Sequence, residues 1–154
     1  MKLYLMQHAL AYSAEENVER PLSPAGVDQA KAASRVIKRL GLSFDLIIAS
    51  PKRRAQQTAA LIAEGVRFPY SDILTTETIL PDSSPHDLFA LLQKESAESQ
   101  ILVVGHLPHL AKLASDLLRG GELVIENAGL TCFDISGSRS AKLEFHLKTK
   151  QLIL

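Results

Sequence analysis

The sequence predicts an α/β fold: a single-domain three-layer α/β/α sandwich over residues 1–154, with a mainly parallel sheet and an antiparallel edge. Three observations carry this expectation. Short, nearly unbroken apolar runs at residues 3–6, 45–49 and 101–104 read as strands buried on both faces. Amphipathic stretches with a helical period lie between and after them, as βαβ crossovers require. Past residue 129 the apolar spacing shortens to two, the mark of paired antiparallel strands.

Each helical stretch carries its own start and stop signals. Ser23 is the expected N-cap of the first, with Pro24 in first position, Val27, Ala30, Ala33, Ile37 and Leu40 on one face, and Gly41 closing it. A second follows Ser50-Pro51, turning Ala55, Ala59 and Ile62 inward, with Gly65 as its expected stop. Ser84-Pro85-His86-Asp87 resembles a capping box and opens a third, which should bury Leu88, Leu91 and Leu92. The fourth starts near Pro108, buries Leu110, Leu113, Ala114 and Leu117, and ends at Gly120-Gly121. Leu130, Cys132, Phe133 and Ile135, then Leu143, Phe145 and Leu147, form a terminal hairpin with Gly137-Ser138 as its turn. Residues 122–128 show no pattern that places them.

Composition narrows the function classes. With 154 residues, 46% of them apolar and 22% charged, the chain has the balance of an ordinary globule and can bury roughly two-thirds of its unfolded surface. Lys plus Arg equals Asp plus Glu at 17 each, so no overall field draws nucleic acid or anionic lipid, and any anion site must be local. Cys132 is the single cysteine, which excludes an internal disulfide and suits a reducing compartment. The N-terminal apolar run is too short for a signal-peptide core or a membrane span, so a cytoplasmic location is expected.

Ligands of open α/β sheets bind beyond the carboxyl ends of the strands. Here those ends are Gln7-His8, then Ser50-Pro51-Lys52-Arg53-Arg54, then Gly105-His106-Leu107-Pro108-His109. Two imidazoles and a run of cations converge on one edge, and two of the ends are also helix N-termini, which favour anions. A phosphoryl group suits such a site. No paired acidic cluster accompanies it, so a magnesium-dependent reaction is not expected, because magnesium takes hard oxygen ligands. A zinc site from His8, His106, His109 and Cys132 lacks any recognised ligand spacing. His86, His109 and His146, taken singly, read as structural or surface residues.

These residues resemble the histidine phosphatase superfamily. Leu5-Met6-Gln7-His8-Ala9 matches its Leu-x-Arg-His-Gly signature except at Gln7, and Ser50, Arg54, Ala55, Thr58 and Ala59 meet its Ser-x-x-x-Arg-Ala-x-x-Thr-Ala motif. Residues 101–104 with Gly105-His106 match the strand that leads to its second histidine. Residues 20–26, Arg-Pro-Leu-Ser-Pro-Ala-Gly, and His106-Leu107-Pro108 are similar to segments of the SixA-type phosphohistidine phosphatases.

The resemblance implies His8 as a nucleophile that is transiently phosphorylated, with Arg54 and His106 binding the phosphoryl oxygens and Gln7 and Arg20 as further phosphate contacts. It implies no cofactor and no metal. The substrate would be a phosphorylated His-containing protein or a small phosphoryl compound, with neither nucleic acid nor membrane as partner, and a monomer is the simplest expectation. The candidate acid is Asp82, with Glu77 second. Gln7 stands where the family has arginine, and an amide supplies neither the fixed charge nor the bidentate fork of a guanidinium. The competing expectation is a weakly active or non-catalytic phospholigand-binding member. A receiver domain would need acidic residues where Gln7-His8 stand. Attack requires an unprotonated His8 nitrogen, so activity should fall on the acid side as the imidazole protonates, at a pKa that its neighbours set in a direction the sequence leaves open; rates flat from pH 5 to 8 would count against this.

Overall fold

The computed structural model describes residues 1–136 and 140–152. Its sheet has the order β3-β2-β4-β1-β5-β6, formed by β1 (Lys2–Gln7), β2 (Leu46–Ala49), β3 (Leu74–Thr75), β4 (Gln100–Gly105), β5 (Leu130–Ser136) and β6 (Ser140–Leu147). The first four strands run parallel; β5 is antiparallel to β1, and β6 to β5. Side chains alternate across this sheet, so each buried strand feeds two cores. Tyr4, Met6 and Leu102 meet α1 (Pro24–Arg39) and α2 (Arg53–Val66) through Ala33, Ile37, Ala59 and Ile62. Leu3, Leu5 and Ile101 meet α3 (Pro85–Leu92) and α4 (His109–Leu117) through Leu88, Leu92, Leu110 and Leu113. This is the three-layer α/β/α sandwich with an antiparallel edge that the patterning predicts.

Several local expectations are corrected. Gly65 does not stop α2, which runs on to Val66 and ends where Arg67 turns left-handed (φ 60°). Gly65 instead lets α1 and α2 cross closely, because a Cβ there would sit 1.5 Å from Ser34 Oγ. Leu40 is half exposed, since α1 ends at Arg39 and Leu40 caps it outside the buried face. Leu91 is only partly covered; α3 buries its i, i+4 pair Leu88 and Leu92. Leu143 also reaches the surface, on the sheet's edge strand. The two-residue β3, both of whose residues are exposed, carries no sequence pattern. The expected turn at Gly137-Ser138 lies outside the described residues.

Register positions the functional edge. Gln7 pairs with Gly105 and Ala49 with Val104, so β1 and β4 end level and β2 one residue short, and the next residues, His8, Ser50 and His106, emerge at one edge. The bonds from His8 N–H to the Gly105 carbonyl (2.9 Å) and from Ser50 N–H to the Val104 carbonyl (3.3 Å) extend the ladders one step into this edge. The first turn of α1 closes over it. Gly26 lies so near the Leu10 carbonyl that a Cβ would stand 1.9 Å from that oxygen.

Candidate active site

His8 and His106 are both buried, with ring centroids 5.2 Å apart. His8 Nδ1 lies 2.7 Å from the Ala9 carbonyl oxygen, and a carbonyl only accepts, so Nδ1 carries the proton and Nε2 presents its lone pair. His106 Nε2 is 2.6 Å from Ser50 Oγ, which also accepts from the Lys52 N–H at 3.2 Å. The other ring nitrogen, His106 Nδ1, is buried without a partner, and so is Arg54 Nε. Orphaned polar atoms of this kind are uncommon in native interiors, and two of them beside a pair of imidazoles mark a place for a polar ligand.

Electrostatics keep both imidazoles neutral. Burial pulls the His8 pKa from 6.5 down to about 4, and the charges of Arg54 and Arg20 add to the effect against the favourable Ala9 carbonyl. Burial also pulls His106 down to about 3, followed by the influence of His8, Arg54, Lys52 and His109. Desolvation thus supplies the direction of the His8 shift that the sequence leaves open, moving its protonation to lower pH. For Arg54, burial and then Arg20 press the guanidinium pKa below its ordinary value. The site holds cations that repel one another, a condition an anion would relieve.

The expected residues divide cleanly. His8, His106 and Arg54 come together, and Arg20 joins them from the first loop, held at φ 49° with its Nε donating to the Tyr12 carbonyl at 3.0 Å. Gln7 ends β1 half-buried, its carbonyl accepting from Ala128 N–H at 2.9 Å. Arg53 turns outward to Glu19 at 2.6 Å, so its charge is answered outside the site. Asp82 and Glu77 are exposed on the connection between β3 and α3, and neither bonds to the imidazoles. His109 is buried with its ring against the Ser84 backbone, while His146 meets Thr131 Oγ1 and the Val124 carbonyl. Cys132 packs in the core opposite Tyr4 and Phe145, and among the described residues no three His, Cys, Asp or Glu side chains are grouped to hold a metal ion. No helix among the described residues is long and apolar enough to cross a membrane.

Sequence reasoning missed Asn127. Its Nδ2 donates to the His8 carbonyl at 2.8 Å from a segment that has no helix or strand pattern. The signal was a polar pair, Glu126-Asn127, between the apolar Ile125 and Leu130.

The profile of the histidine phosphatase superfamily (branch 1) matches residues 3–76, which carry His8, Arg20 and Arg54. Over these residues the chain is similar to this superfamily. It is 27% identical to phosphohistidine phosphatase SixA of Escherichia coli over 127 residues, covering 78% of this chain and 76% of that protein. An uncharacterized protein of Picosynechococcus is 29% identical over 164 residues, covering 100% of this chain and 95% of the relative. The structure of SixA complexed with tungstate superposes with a TM-score of 0.90 at 21% identity, over 99% of both chains. A phosphoserine phosphatase from Entamoeba histolytica in complex with 3-phosphoglyceric acid gives 0.74 at 21% identity, again over 99% of both. The histidine phosphatase fold supports a hydrolase that acts as a phosphatase.

Proposed function

We propose that this protein is a phosphohistidine phosphatase that removes phosphoryl groups from a His-containing phosphocarrier protein through a phospho-His8 intermediate. The observation that carries the reading is the orientation of His8: Nδ1 tied to the Ala9 carbonyl, Nε2 free, and beside it a second neutral imidazole and an Arg54 whose buried Nε has no partner. Nε2 attacks phosphorus as the bond to the substrate's imidazole nitrogen breaks; the substrate ring, already protonated by solvent on its other nitrogen, keeps the bonding pair and leaves as neutral imidazole. Water then attacks phospho-His8, releasing phosphate and restoring the imidazole. Arg54, His106 and Arg20 serve by stabilising charge on the equatorial oxygens, the main demand of phosphoryl transfer, which needs no metal where cations already stand.

The likeness to SixA supports a phosphohistidine substrate, and so does the exposed position of Asp82. A protonated imidazole leaves more readily than an alkoxide, so a pocket without a buried acid suits phosphohistidine better than a phosphate ester. Gln7 sets the pace. Losing a charge-assisted hydrogen bond costs about 1.5–3 kcal/mol, which slows transfer by about 10- to 100-fold if felt wholly in the transition state.

The deciding assay compares a phosphohistidine protein with phosphoserine and a generic aryl phosphate, and follows acid-labile label on the enzyme. Turnover of the phosphoprotein with label on His8, both abolished in His8→Ala, is the expected result. Label surviving in His8→Ala would move the nucleophile to His106. Neither turnover nor label on any substrate would leave a phospholigand-binding protein.

A further inference from the structure

The peptide unit that joins His8 to Ala9 is held at both of its polar ends by side chains from distant parts of the chain. Asn127 Nδ2 donates to its carbonyl at 2.8 Å, across 119 residues. Its N–H donates to Thr58 Oγ1 at 3.0 Å, across 49 residues. The fully buried Thr58 hydroxyl in turn donates to the Arg54 carbonyl at 2.8 Å. Asn127 is braced on its own side, its carbonyl accepting from Thr149 Oγ1 at 2.6 Å, while the Thr149 N–H meets Glu126 at 3.1 Å.

A peptide is planar, so holding both ends fixes the plane. The plane sets where the Ala9 residue begins, and the Ala9 carbonyl is the group that takes the Nδ1 proton of His8. Which nitrogen of a histidine carries the proton is set by the hydrogen bond made by the other, so a freely turning peptide would let the ring exchange tautomers. We infer that Asn127 and Thr58 form a clamp on the His8–Ala9 peptide and act as positioning residues: they hold His8 as the Nδ1–H tautomer and set its distance from Arg54. This rests on the reading of His8 as nucleophile, and it adds two residues that work through it. Thr58 has a double task, because one hydroxyl joins the peptide after His8 to the backbone of Arg54.

The test reads the tautomer directly, by long-range proton–nitrogen correlation of the His8 ring at pH 7. Thr58→Val removes the hydroxyl at nearly constant shape, and Asn127→Asp replaces the donor with an acceptor facing a carbonyl. In both, the His8 spectrum should move from the Nδ1–H pattern toward a mixture, and kcat on the phosphoprotein should fall by about tenfold or more with KM little changed, as expected for a misplaced reacting group. Thr58→Ser, which keeps the hydroxyl, should restore both readouts. Parent-like tautomer and kcat in folded Thr58→Val and Asn127→Asp would overturn the clamp. Should Thr58→Val not fold, Asn127→Asp, at a half-exposed position, decides alone. The ring spectrum needs no turnover, so failure of the clamp and failure of the nucleophile assignment are read separately.

Discussion

The first turns of the helices fall into two kinds. In α1, Ser23 Oγ accepts from the Gly26 N–H at 3.1 Å, and in α3, Ser84 Oγ accepts from the His86 N–H at 3.3 Å; each has proline in its first turn. In α2 and α4 the capping positions are Lys52 and Pro108, and neither side chain caps. The uncapped pair is the pair that follows β2 and β4 into the site. A cation in a helix's first turn opposes the macrodipole, yet α2 opens with Arg53 and Arg54. The difference sets two helices with local side-chain caps against two that open at the candidate site without one, and under the proposed function the uncapped ends and Arg54 would face an anion.

The largest test of that contrast is Arg54→Ala. If the residue serves a ligand rather than the helix, turnover should fall by about 100- to 1,000-fold, the usual cost of deleting one transition-state donor. Stability should stay level or rise slightly, because the change removes a cation from a helix N-terminus and relieves its repulsion by Arg20. Steady-state kinetics with a urea melt read both. A destabilised variant with near-parent turnover would make Arg54 a structural residue and dissolve the contrast.

Legibility in the sequence follows the same line. The capped helices announce themselves through Ser23-Pro24 and Ser84-Pro85, and the buried strands through unbroken apolar runs, so fold class and order were readable. His8, Arg54 and His106 were readable because each sits just beyond a strand whose end the apolar pattern marks. Asn127 and the Thr58 hydroxyl were not readable as supports. Their partners are backbone groups 119 and 49 residues away, which no local period encodes. Gly65 misled for the opposite reason, since a glycine required by the close approach of Ser34 looks in sequence like a glycine required by a turn. The direction of the His8 shift was not readable, because burial, not residue type, sets an imidazole's pKa.

Acidification sharpens the comparison at the next level of effect. His8 is held neutral by burial, with its pKa lowered from 6.5 to about 4, so the unfolded chain binds this proton more readily than the folded one. Its contribution to stability is intact above pH 6.5, is lost as pH falls from 6.5 to 4, and changes no further below that; the whole swing is on the order of 3 kcal/mol. His106 adds a loss of the same sign that continues to about pH 3. Turnover follows a separate curve, with kcat/KM level from pH 5 to 8 and falling toward pH 4. A bound anion favours the charged imidazole, so phosphate should raise the folded-state pKa and shrink the stability loss. A kcat/KM limb near 6.5 would mean that water reaches His8 and that the site is less dry than its burial implies.

The smallest effects lie at the capped helices, and they test the other half of the contrast. Ser84→Ala removes only the bond to the His86 N–H, so it should cost about 0.5–1 kcal/mol in a urea melt and leave turnover at the parent value. Ser23→Ala removes two bonds, because that hydroxyl also donates to the Leu10 carbonyl at 3.1 Å, two residues beyond His8. Its cost should approach about 1–2 kcal/mol. Turnover should still hold, because the Ser23 backbone N–H keeps its own bond to the same carbonyl at 3.0 Å and the first loop stays in place. A fall in kcat beyond about threefold in Ser23→Ala, with Ser84→Ala unchanged, would show that α1 helps hold the His8 loop through its cap, and the division between capped and functional helices would then run between α3 and the other three.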